Sequence, residues 1–78
     1  TMNSDGIKVL IEASIEDAVV NVSSDDNVHF EAVVISQGFQ EKSLVQRHQM
    51  VYRSLGDKMQ SEIHALSLTT LTPKENLE

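Results

Sequence analysis

Val28-His29-Phe30-Glu31-Ala32-Val33-Val34-Ile35-Ser36 is the stretch on which the fold turns. It is rich in β-branched residues, free of Gly and Pro, and reads as a strand. Just before it, the polar cluster Ser23-Ser24-Asp25-Asp26-Asn27 separates it from a second β-branched run, Ala18-Val19-Val20-Asn21-Val22. Two strands joined by so short a polar turn form an antiparallel hairpin. After it, Gln37–Lys42 leads into a helix from Ser43 to about Met59. Ser43 followed by Gln46 is a capping box that sets the start. Val45, His48, Tyr52, Leu55 and Met59 recur at spacings of three and four and predict the buried face, with Gly56-Asp57 as a point of bending or breakage. Ile63 to Leu71 reads as a third strand, ended by Pro73. Residues 74–78 read as a loose polar tail.

Upstream, Ser4 to Ile15 reads as a first helix with Ser4 as N-cap. Ile7, Leu10 and Ile11, with Ser14 or Ile15, supply its apolar stripe. A helix between the last two strands calls for a parallel, right-handed crossover. The expected architecture is α+β, a two-layer sandwich in the order helix–strand–strand–helix–strand, with both helices on one face of a three-stranded mixed sheet.

Seventy-eight residues are read as one domain, 1–78, with 1–3 as a tag remnant or loose N-terminus and Thr1 ahead of Met2 as the remnant itself. A chain this small has no volume for a deep enclosed pocket of the kind most enzymes need, so a binding protein is expected rather than an enzyme. There is no cysteine, which rules out a disulfide and any zinc or iron–sulfur site built on the chain's own thiolates. No apolar run approaches the roughly 20 residues of a membrane helix, and residues 1–5 lack the pattern of a secretory signal. A cytoplasmic location without membrane contact is expected. Twelve acidic against six basic residues give a net charge of −6, which opposes phosphate backbones. With only three aromatic residues for stacking, nucleic-acid binding is not the expected main activity.

The chemistry rests on three histidines, at 29, 48 and 64. None has the spacing of a metal motif, no serine sits in a nucleophile elbow, and the three glycines are too isolated for a phosphate loop. Asp25-Asp26 reads as a solvated turn. His48, between Val45 and Tyr52, reads as a structural histidine hydrogen-bonded at the edge of the core. Lys42, Arg47, Arg53 and Lys58 read as solvated surface. His64, at the helix-to-strand junction, and His29, at the start of the second strand, are either rim side chains or ligands. Parallel pairing of the second and third strands would bring both to one end of the sheet, where a partner would have to complete any four-coordinate site.

The segments His29–Ser36, Leu44-Val45-Gln46-Arg47-His48-Gln49-Met50-Val51-Tyr52 and Ile63-His64-Ala65-Leu66-Ser67 with Thr72-Pro73 resemble the BolA family, in the right order with the right gaps over residues 29–73. The resemblance implies a fold similar to the class II KH domain, without its G-x-x-G clamp. It also implies a heterodimer with a monothiol glutaredoxin sharing a bridged [2Fe–2S] cluster, whose sulfur ligands come from the glutaredoxin and glutathione. The family's C-terminal ligand histidine falls on His64, so His64 is the first candidate metal and cofactor ligand. Many members carry a second ligand in a longer first hairpin loop. Here the loop Ser23–Val28 is short and holds neither His nor Cys, as in the YrbA-like bacterial branch, and His29 is the nearby substitute. Alone, the protein is expected to hold no cofactor and to be a monomer or weak homodimer. Two departures are Glu41, where the family has Gly, and the absence of a C-terminal Trp after Thr72-Pro73. Some members are described as DNA-binding regulators of the stress response, which is the alternative function.

Overall fold

The structure, a computed structural model, describes residues 2–63 and 65–78. Its elements are α1 (Ser4–Ser14), β1 (Val19–Ser23), β2 (His29–Ile35), α2 (Leu44–Leu55), α3 (Lys58–Ser61), β3 (Ala65–Leu71) and α4 (Pro73–Asn76), with a 3-10 turn at Gln37–Phe39 between β2 and α2. The sheet order is β1-β2-β3. β1 pairs antiparallel with β2, Val19 opposite Ile35 and Ser23 opposite Glu31. β2 pairs parallel with β3, His29 opposite Ala65 and Ile35 opposite Leu71. This is the α+β mixed sheet expected from the sequence.

Alternation along β2 decides which side is covered. Phe30, Ala32 and Val34 are buried, whereas His29 and Glu31 are exposed. Ile7, Ile11 and Ile15 from the first helix and its exit, with Val51 and Leu55 from α2, close over Val20, Phe30 and Val34 as one core. Phe30 and Phe39 are the largest fully buried side chains, and burial of each such ring stabilises the fold by about 1.5–3 kcal/mol. The opposite sheet face carries His29, Glu31, Ala65 and Ser67.

Several local expectations are corrected. Asn3, not Ser4, caps α1: its side chain accepts from the Gly6 amide at 2.9 Å. Ser43 and Gln46 do form the capping box of α2, but the helix stops at Leu55 because Gly56 turns into the left-handed region at φ 59°. Met59 therefore belongs to a separate short helix. The buried face of α2 is set by Val51 and Leu55, while Val45 and Tyr52 are 66% and 40% exposed. Glu41 has φ 60°, a conformation that costs a residue with a Cβ about 1–2 kcal/mol and that Gly adopts freely. The glycine that the resemblance calls for at this position thus has a backbone reason.

The chain after Pro73 is not wholly loose. Thr72 accepts from the Glu75 amide while Glu75 accepts from the Thr72 amide, a second capping box that opens α4. Arg47 is not solvated. Its guanidinium meets both Glu75 oxygens at 2.7 and 3.3 Å, donates to the carbonyls of Lys42 and Thr70, and lies 5.8 Å from the centroid of Phe39. The paired arginine holds the Glu75 carboxyl down at about 2, with the Thr72 amide as the next cause. No helix among the described residues is long and apolar enough to cross a membrane.

Candidate functional site

The parallel register puts the start of β2 beside the start of β3. His29 faces Ala65 across the ladder, and the Ala65 amide donates to the Val28 carbonyl at 3.2 Å. His64 precedes Ala65 in the chain but lies outside the described residues. The register thereby brings His29 and Ala65 together at one end of the sheet.

The hairpin turn builds the surroundings of His29 from a few polar groups. Ser24 Oγ accepts from the Asn27 amide at 2.9 Å and donates to the His29 carbonyl at 2.6 Å. Asn27 closes the turn at φ 58°, a conformation Asn tolerates well. One carboxylate oxygen of Asp26, Oδ1, accepts from the amides of Val28 and His29, each at 2.9 Å. The other, Oδ2, lies 3.0 Å from His29 Nδ1. The imidazole beside it, followed by the two amides, holds the Asp26 carboxyl far below the usual carboxylate range. The His29 side chain is 68% exposed. It borders an open groove of about 350 Å³ on the uncovered face, lined by Ser24, Asp26, Glu31, Ala65 and Ser67 among others.

The groove is too polar and open to enclose a small substrate. Among the described residues, no three His, Asp or Glu side chains come together closely enough to hold a metal ion. What this end of the sheet offers is an exposed imidazole on a rigid element, held by a carboxylate that the turn itself anchors.

His48 stands apart, half-buried on α2. Its Nε2 is buried with no hydrogen-bond partner, so the expected bond from that nitrogen is not made. Lys42 and Arg53 line a groove of about 330 Å³ along α2, together with Gln46, Gln49 and Met50, and no carboxylate lines it. Lys58 pairs with Glu62 at 2.8 Å. The participant missed by sequence reading is Asp26, taken for a solvated turn residue. Its place three residues before His29 at a tight turn was the available signal.

A model of the family described as BolA-like protein matches residues 7–75. SufE-like protein 1, chloroplastic/mitochondrial, of Arabidopsis thaliana is 42% identical over 55 residues, covering 70% of this chain and 15% of that protein. The DNA-binding transcriptional regulator BolA of Escherichia coli is 34% identical over 67 residues, covering 86% of this chain and 64% of the relative. The chain thus spans less than two thirds of either relative's length. The solved structure of a bolA protein homologue from Coxiella burnetii superposes with a TM-score of 0.89 at 40% identity, over 100% of both chains. Helix order, parallel register and a family match across nearly the whole chain agree, and this protein belongs to the BolA-like family.

Proposed function

We propose that this chain is a binding module rather than a catalyst, and that it shares a bridged [2Fe–2S] cluster with a monothiol glutaredoxin in iron–sulfur trafficking or iron homeostasis. The observation that carries the reading is the parallel register of β2 on β3, which sets His29 opposite Ala65, the residue after His64. When bound, such a cluster supplies iron that accepts nitrogen and thiolate ligands. The donor set here fits the nitrogen side of that arrangement: imidazoles without thiolates, with His29 exposed at the rim. His64 and His29 would hold the cluster from this side. The glutaredoxin and glutathione would supply the sulfur that a cysteine-free chain lacks. Among the described residues the groove at this end of the sheet is open rather than enclosed, which supports docking over turnover.

Co-expression with a monothiol glutaredoxin, followed by the visible absorption spectrum of the purified complex, tests this. A coloured heterodimer is expected, and His64→Ala should shift its spectrum toward that of the glutaredoxin homodimer. Failure to form a heterodimer would refute the reading, and an unchanged spectrum in His64→Ala would refute the ligand assignment.

A second reading, DNA binding, is favoured by the carboxylate-free groove holding Lys42 and Arg53 and by the name of the Escherichia coli relative. Two cations release few counterions, so log affinity for duplex should fall against log salt with a slope of only about −2. A nanomolar, sequence-selective complex in a gel-shift titration would place this reading first.

A further inference from the structure

We propose that Asp26 is a positioning residue: it fixes the neutral imidazole of His29 with its proton on Nδ1 and its lone pair on Nε2. The functional meaning of this rests on the reading of His29 as a cluster ligand. The tautomer itself does not.

The geometry divides the work of one carboxylate between its two oxygens. Oδ1 takes the amides of Val28 and His29 and so closes the turn. Ser24 gathers the Asn27 amide and the His29 carbonyl, and its hydroxyl also lies 3.2 Å from the same Oδ1. The turn therefore calls for one acceptor at residue 26, and Oδ2 is available to the ring at 3.0 Å. An ionised carboxylate only accepts, so the nitrogen that faces it must be the donor. In a neutral imidazole the other nitrogen then carries the lone pair, the arrangement that metal-binding histidines obtain from a neighbouring carboxylate. Anchoring through Oδ1 also limits the rotation of the carboxylate, so the ring is aligned before any partner arrives.

This division makes Asp26→Asn a discriminating variant. The asparagine carbonyl can replace Oδ1 at the two amides, and those amides prevent the side chain from flipping. Its NH₂ then stands where Oδ2 stood and donates, so the ring must accept at Nδ1 and carry its proton on Nε2. Asp26→Ser retains an acceptor for the turn but offers the ring no carboxylate.

The test is long-range ¹H–¹⁵N NMR of the full, metal-free ¹⁵N-labelled chain at about pH 8, above the ordinary histidine range, with His29→Ala assigning the ring. The wild type should show mainly the Nδ1–H form, Asp26→Asn mainly the Nε2–H form, and Asp26→Ser a mixture. A wild-type ring protonated on Nε2, or an unchanged tautomer in Asp26→Asn, overturns the proposal whatever becomes of the cluster. Each variant is then titrated with cluster-loaded monothiol glutaredoxin and its visible spectrum recorded. Positioning predicts that Asp26→Asn moves the spectrum in the same direction as His29→Ala. If His29→Ala moves it and Asp26→Asn, with its tautomer inverted, does not, the positioning role is overturned. If neither moves it, His29 is not a ligand, while control of the tautomer by Asp26 stands on the NMR result.

Discussion

Replacing His48 with phenylalanine should stabilise this protein. His48 is half-buried, and its Nε2 has neither solvent contact nor a hydrogen-bond partner. Burying a polar group without a partner costs about 1–3 kcal/mol. Phenylalanine keeps the planar ring and its apolar contacts while removing that atom. A slightly larger six-membered ring takes back part of the gain, because overpacking a dense interior is itself unfavourable. The expected net is about 1 kcal/mol, which for a domain of this size raises the thermal midpoint by about 4–8 °C. Urea unfolding followed by far-UV circular dichroism measures it directly: the midpoint should rise and the slope should not change. Sequence reasoning alone implies the opposite sign, since a hydrogen-bonded edge histidine leaves its partner unpaired when it is removed. A loss of 1 kcal/mol or more in His48→Phe, with the slope unchanged, would refute the argument.

Three further outcomes follow from the same structure. Arg47→Ala removes a nearly buried cation from Glu75, two carbonyls and an aromatic face. It should destabilise by about 1–3 kcal/mol through the lost hydrogen bonds to the Lys42 and Thr70 carbonyls, with hydrogen exchange accelerating first in α4. Glu41→Gly relieves a left-handed residue at φ 60° and should gain about 0.5–1 kcal/mol after the entropy of glycine is subtracted, read as a higher urea midpoint. Glu75 has its folded pKa lowered from 4.5 to about 2. Its contribution is therefore fully present above the unfolded value and is lost as pH falls through the folded one. Stability measured from pH 5 down to 2 should decline less steeply in Glu75→Gln than in wild type, and parallel curves would remove Glu75 from the acid response.

The sequence carried those features whose causes are local or simply periodic. The β-branched runs flanking Ser23–Asn27 appear as β1 and β2, and Ser43 with Gln46 caps α2 as read. Ile7, Ile11 and Ile15 recur four residues apart and are all buried. A helix between two strands demanded a crossover, and β2 and β3 pair in parallel as that requires, with His29 opposite Ala65. The buried face of α2 was legible only in part: Leu55, on the predicted stripe, is buried, but two apolar stripes overlap on this helix. Val45, Tyr52 and Leu55 define one, and Val51 and Leu55 the other. Packing against α1 and the sheet selects the second, a contact between segments distant in sequence. Arg47 looked like any surface cation because Glu75, its partner, lies 28 residues away. Asp26 looked like a solvated turn because its importance depends on the direction in which its second oxygen points. Periodicities and caps are settled within one or two turns of chain, where neighbouring residues supply the energy. The choice between competing faces, and the pairing of a charge or a ring nitrogen, is made only when distant segments exclude water together.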